Sequence, residues 1–131
     1  MTPIINLIID SLKPIYNEYG IDKQPELANY WINFNNKYNY NSVHTHGASY
    51  FSTVLYLKVP KNSGNLVFER PDNFNSFIYT NRITDKSAGT YYIIPQENLL
   101  VIFPSYLPHR VDQNLTEDED DERISIAFNF R

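Results

Sequence analysis

The chain has only three histidines, and their spacing suggests a metal site. His44 and His46 stand one residue apart in Asn41-Ser42-Val43-His44-Thr45-His46-Gly47. His109 lies far downstream, in Phe103-Pro104-Ser105-Tyr106-Leu107-Pro108-His109-Arg110-Val111. Side chains of an extended strand alternate faces, so the first two imidazoles are expected on one face of one strand. Imidazole is the commonest metal ligand among side chains and suits iron, zinc, copper and nickel. A pair on one strand and a lone histidine on a distant one is how a β-barrel builds a three-point metal site. By itself His-x-His is often an ordinary surface pair, so its company decides the matter. That company is the closing run Arg123-Ile124-Ser125-Ile126-Ala127-Phe128-Asn129-Phe130, which alternates strictly. Arg123, Ser125, Ala127 and Asn129 share one face. A guanidinium with a neighbouring hydroxyl can hold a carboxylate end-on, two prongs from arginine and one bond from serine. Such a polar face ordinarily meets water; turned into a barrel, it would set a carboxylate site beside the histidines.

The elements that must position these residues are mostly strands. Pro3 to Tyr19 predicts one helix, with Thr2 as its cap and Pro3 at its first position. Ile4, Leu7, Ile8, Ser11, Leu12 and Ile15 recur at three- and four-residue spacing, giving an apolar stripe. Pro14 is expected to kink it or end its first half, and Gly20 to stop it. Beyond Leu27 the signals are β: Tyr30–Phe34, Tyr50–Val59, Asn65–Glu69, Phe77–Tyr79, Thr90–Ile94, Leu99–Phe103, the segment after His109, and Arg123–Phe130. Pro60–Gly64 between two of these runs reads as a hairpin turn. Leu99–Phe103 is apolar throughout and suits a strand buried on both sides. One helix followed by many short strands predicts an all-β core, a sandwich or closed barrel, with the helix packed outside.

Composition narrows the function. At 131 residues the chain is expected to form one domain, residues 1–131, large enough for a true core. Without cysteine there is no disulfide, thiolate metal site or cysteine nucleophile. A net charge of -4 offers no broad attraction to nucleic acid or to anionic membranes. No apolar run is long enough to span a bilayer, and the first residues lack the pattern of a secretory signal, so a cytoplasmic location is expected. The acidic run Glu117–Glu122 reads as a solvated loop; lying between His109 and Arg123, it could flank a pocket mouth and favour a cationic substrate.

Taken together, His44-x-His46, Gly64-x-Leu66-x-Phe68, Phe103-Pro104-Ser105-x-Leu107-x-His109 and Arg123-Ile-Ser-Ile-x-Phe-Asn129 resemble a family of small 2-oxoglutarate- and iron(II)-dependent oxygenases of bacteria and phages. The resemblance runs from about Tyr30 to the C-terminus. It implies a double-stranded β-helix, a jelly-roll or cupin-like barrel, and a dioxygenase that hydroxylates an unidentified substrate. Fe(II) and 2-oxoglutarate would be cofactor and cosubstrate, with ascorbate as an accessory reductant. It implies His44 and His109 as metal ligands. Arg123 would partner the distal carboxylate, with Ser125 assisting and Tyr56 a candidate second contact. Trp31 and Asn33 are candidates for the pocket lining. The superfamily usually carries His-x-Asp or His-x-Glu where this chain has His46. Glu69 or Asp112 could supply a carboxylate instead; the spacing from His44 favours His46. For a phage-encoded chain the expected location is the host cytoplasm.

Two other readings compete. A cupin also has His-x-His and a distant histidine, and would make a three-histidine metal site that does not use 2-oxoglutarate. It would usually carry a glutamate shortly after the pair, where Tyr50 and Phe51 stand, and it has no use for Arg123 and Ser125. A non-catalytic β-sandwich binding module would leave the histidines incidental.

Overall fold

The computed structural model describes residues 1–131. Two four-stranded antiparallel sheets face each other. The first has the order β1 (Leu27–Asn35), β8 (Arg123–Phe130), β3 (Phe51–Lys58), β6 (Leu100–Pro104). The second has the order β2 (Asn41–His44), β7 (His109–Val111), β4 (Leu66–Glu69), β5 (Thr90–Ile93). The chain crosses from sheet to sheet at nearly every connection, which makes a double-stranded β-helix. β4 and β5 are the exception. They are neighbours joined by a long connection that contains the short helix α2 (Phe74–Phe77).

This winding corrects the hairpin expected at Pro60–Gly64. β3 pairs with β6 and β8, and β4 with β5 and β7, so the turn passes the chain between sheets. Local turn chemistry marks a reversal but does not say which strand will be the partner. The strand expected at Phe77–Tyr79 is also absent. Phe77 closes α2, and Phe77 and Tyr79 stand exposed with no ladder to join.

The helix α1 spans Thr2–Glu18 as one piece. Its cap is Met1, and the Thr2 side chain makes no capping bond. Pro14 neither ends the helix nor divides it. The carbonyl it leaves unbonded, that of Asp10, is on the wet side, where water can satisfy it. Gly20 stops the helix as expected, at φ +70°. Its N–H reaches the Asn17 carbonyl, and that of Ile21 reaches Tyr16, the double closure of a Schellman turn.

Ile8, Leu12 and Tyr16 on α1 bury themselves against Phe51, Ile126, Phe128 and Phe130. Each such side chain contributes about 1.5–3 kcal/mol relative to exposure. The apolar face of β8 is therefore spent on the helix. Its other face, with Arg123, Ser125, Ala127 and Asn129, turns between the sheets. β6 serves both sides, as its apolar run implied. Leu100 and Ile102 pack toward the helix, while Val101 and Phe103 join Tyr56, Leu66 and Phe68 between the sheets.

Candidate metal centre and carboxylate clamp

His44 ends β2 and is the direct cross-strand partner of His109, which begins β7. His46 lies two residues beyond β2, in the following loop, which corrects its expected place on the same strand. Its backbone N–H, bonded at 3.0 Å to the Ser105 carbonyl, returns it to the site. The three available ring nitrogens, one per histidine, all lie within 4.8 Å of one another. His46 and His109 are parallel to within 3°, with their Nε2 atoms 3.0 Å apart. Two nitrogens at about 2.1 Å from one ion, at right angles, would stand roughly 3 Å apart.

Backbone carbonyls set the tautomers. His44 Nδ1 donates to the Ser42 carbonyl at 2.7 Å, and His109 Nδ1 to the Leu107 carbonyl at 2.9 Å. Each ring then presents a bare Nε2 lone pair to the shared space, the usual arrangement for metal-binding histidine. Since the one ring proton of neutral His109 is on Nδ1, His46 donates from Nε2 to His109. A cation would take the place of that proton. Burial, reinforced by the neighbouring imidazoles of His109 and His44, pushes His46 down to about 4. His109, only 3% exposed, is also lowered, chiefly by burial. Both rings are therefore neutral near pH 7, the form that binds metal.

The same cleft, of about 50 Å³, is lined by His44, His46, His109, Tyr56, Arg123 and Ser125. Every site residue expected from sequence thus meets in one cavity. Trp31 and Asn33 line it as well. The Trp31 indole stacks on His46 at 5.6 Å between centroids, and its N–H is held by Asn33 at 3.1 Å.

Arg123 is the one permanently charged side chain in the lining, and no carboxylate faces it. It is 2% exposed. Its Nη1 donates to the carbonyls of Ser63 and Gly64 at 2.6 and 3.1 Å, which fixes its direction and leaves its other donors free. An uncompensated buried guanidinium is costly unless an anion joins it. Burial pushes the Tyr56 phenol up to about 12, with Arg123 opposing that shift, so it remains a neutral O–H donor. Ser125 stands across from Tyr56 in the β3–β8 register. The donor set fits a carboxylate, and the imidazole set fits a divalent metal. The two occupy one cleft, as an anionic chelator of that metal would require.

The carboxylates considered as alternative ligands are elsewhere. Glu69 and Asp112 are both tied to Arg110, at 2.9 and 3.3 Å, and neither joins the histidine cluster. The acidic run contributes nothing to the lining either. Asp121 pairs with Lys58 at 2.7 Å, and none of Glu117–Glu122 lines the cleft. What sequence reading missed is most of the polar row of β1, of which it singled out only Asn33. Asn29, Asn33 and Asn35 face Asn129, Ser125 and Arg123 across the β1–β8 register. The signal was present: Tyr30, Ile32 and Phe34 alternate with them, as the apolar residues of β8 alternate with its polar ones.

A family model described as "Putative 2OG-Fe(II) oxygenase" matches residues 29–129. Among solved structures, the fold is similar to an oxidoreductase of the 2OG-Fe(II) oxygenase family from Burkholderia pseudomallei, with TM-score 0.68 and 16% identity, over 98% of this chain and 55% of that one. It is similar to a Pseudomonas putida prolyl-4-hydroxylase with TM-score 0.61 and 20% identity, over 93% of this chain and 62% of that one. A nickel complex of a non-heme monooxygenase follows, with TM-score 0.56 and 10% identity, over 81% of this chain and 44% of that one. The chain thus spans about half to three-fifths of the first two, and at these identities the likeness is one of fold. No curated protein matches the sequence significantly.

Proposed function

The chain belongs to the 2OG-Fe(II) oxygenase family, and from that premise we propose that it is a 2-oxoglutarate- and iron(II)-dependent dioxygenase whose ligands are His44, His46 and His109. The observation that carries this reading is one cavity holding three convergent imidazoles and a buried guanidinium without an anionic partner. Bound Fe(II) with 2-oxoglutarate supplies oxidising chemistry: dioxygen is consumed, the cosubstrate loses carbon dioxide to give succinate, and one oxygen atom enters a substrate C–H bond.

The residues contribute orientation and exclusion of water. Arg123 pairs with the distal carboxylate of 2-oxoglutarate, and Tyr56 and Ser125 donate to the same group. Because Ser63 and Gly64 already hold Nη1, the fork is aimed before the anion arrives. His44 and His109 keep their Nδ1 protons on backbone carbonyls and so hold ring direction through turnover. A ligand set without a carboxylate would leave a bound divalent cation its full double charge, which a dianionic cosubstrate would offset. Trp31 walls the open side beside His46, where a substrate would approach. The single-domain organisation over residues 1–131 belongs to the same proposal.

Anaerobic mixing with Fe(II) and 2-oxoglutarate is expected to give a visible charge-transfer band. The band should vanish in His109→Ala. In Arg123→Ala its titration midpoint in 2-oxoglutarate should rise about 30-fold or more, the effect of removing one member of a buried charge pair. No band, with Arg123→Ala binding 2-oxoglutarate as well as the parent does, would refute the assignment. Succinate release over a panel of peptides, amino acids and nucleosides then identifies the substrate.

A further inference from the structure

A line of hydrogen-bonded polar side chains, buried except for Asn29 at its outer end, crosses the first sheet and ends at His46. Asn129 Nδ2 donates to Asn29 Oδ1 at 2.8 Å. Ser52 Oγ donates to Asn129 Oδ1 at 2.7 Å. Ser52 has then given its only proton, so the 2.8 Å bond between Ser52 and Ser105 has Ser105 as donor. The Ser105 carbonyl receives the His46 N–H at 3.0 Å. The order is β1, β8, β3 and the turn after β6, the order of the strands in the sheet. Asn129, Ser52 and Ser105 are 5%, 2% and 0% exposed.

Between two packed sheets, apolar side chains would stabilise as well or better, since each buried hydroxyl or amide must first be desolvated. The line is fully paired, so its cost is met, yet paired polar groups contribute position more than net stability. What it positions can be read from its end. His44 and His109 have strand ladders to hold them, whereas His46 has none. The turn Pro104–Pro108 does the work for two rings. Its Ser105 carbonyl holds the His46 backbone, and its Leu107 carbonyl holds His109 Nδ1. The Ser105 N–H is itself bonded to the Tyr50 carbonyl, at 2.9 Å, so both the backbone and the side chain of this residue are fixed.

We propose that Ser52, Ser105 and Asn129, with Asn29 at the outer end, are positioning residues for the metal site, acting through the loop that carries His46. The proposal rests on His46 being a ligand and adds what keeps it one. Truncating the line at Ser52 frees the Ser105 hydroxyl, loosens the turn and lets His46 leave the centre, while His44 and His109 stay in place. Outer partners that orient ligands are commonly worth ten- to a hundredfold in metal affinity.

The test is a double-mutant cycle on Mn(II) binding, read by calorimetry with the full chain. Ser52→Ala is expected to weaken Mn(II) binding about tenfold or more. In a His46→Ala background the same change should have no further effect, because its target is gone. Asn29→Ala, at the exposed end of the line and compatible with folding even if Ser52→Ala is not, should weaken binding by about two- to threefold and likewise lose its effect beside His46→Ala. Trp31 is the only tryptophan and stacks on His46, so its emission reports ring position independently. Mn(II) quenching of that emission should shrink in Ser52→Ala. If Ser52→Ala and Asn29→Ala weaken binding equally with and without His46, or leave it unchanged, the positioning role is refuted. If His46→Ala itself leaves Mn(II) binding intact, it is the ligand assignment that fails.

Discussion

At the scale of single residues, the site depends on keeping His46 and His109 neutral and one guanidinium charged in the same cleft. Burial does the first, and it leaves a mark on stability. The pKa of His46 in the folded chain is about 4, below the ordinary value of 6.5. As pH falls, the unfolded chain therefore takes up its proton first, and folding loses stability between about pH 6.5 and 4, after which both states are protonated. The lowered His109 works in the same direction. Denaturant midpoints of the metal-free protein should fall across that window, and less steeply in His46→Gln; superimposable curves would show that His46 titrates normally. Arg123 poses the converse problem. Arg123→Lys keeps the charge but loses the fork and the reach to the Ser63 carbonyl. Its affinity for 2-oxoglutarate is expected between those of the parent and Arg123→Ala. These residues were legible in the sequence because each is rare and chemically marked: three histidines in all, and an arginine opening an alternating strand. The serines and asparagines of the positioning line were not. Their types are common, and only the sheet order makes them neighbours.

At the scale of elements, alternation and apolar runs located most strands and the helix, but pairing was not legible. The turn at Gly64 shows why. Its composition fits a hairpin, while its geometry serves the opposite purpose, a crossing between sheets at φ +96°. The crossing places the Ser63 and Gly64 carbonyls where the Arg123 guanidinium needs them. A Cβ at Gly64 would overlap the Asp112 carbonyl and press on Arg123 Nη1 at 3.1 Å. Gly20 has a similar φ, +70°, but nothing lies within 4 Å of its missing Cβ. The two glycines therefore separate backbone strain from steric and functional cost. Gly20→Ala should cost about 1 kcal/mol and leave 2-oxoglutarate binding unchanged. Gly64→Ala should cost upwards of about 2 kcal/mol and weaken 2-oxoglutarate binding together with stability. Urea denaturation and anaerobic titration of the two variants measure both quantities; equal losses in the two would remove the link between this turn and the clamp.

At the scale of the whole molecule, the first sheet is a partition with different chemistry on its two sides. Phe51, Ile126, Phe128 and Phe130 face α1, while Ser52, Tyr56, Arg123, Ser125 and Asn129 face the cleft. A strict two-residue period is what allows β3 and β8 to serve both sides at once. It also explains why sequence patterning alone left the direction of the polar face open: the period fixes which residues share a side, and here both sides are covered, one by α1 and one by the second sheet. One of the two apolar cores, the one under α1, thus lies on the side without the chemistry, and its contribution to stability should be separable from the site. Leu12 is 0% exposed under the sheet. Leu12→Ala is expected to cost about 2–5 kcal/mol, the usual range for emptying a leucine site. Mn(II) binding adds stability according to its concentration relative to its Kd. If the partition holds, Kd is unchanged in Leu12→Ala, and saturating Mn(II) gives parent and variant the same stability increment even though the variant starts much lower. Thermal or urea unfolding with and without Mn(II) measures the increment directly. A smaller increment in the variant would mean that packing under the helix is felt across the sheet at the histidines, and that α1 is part of the site's positioning as well as its cover.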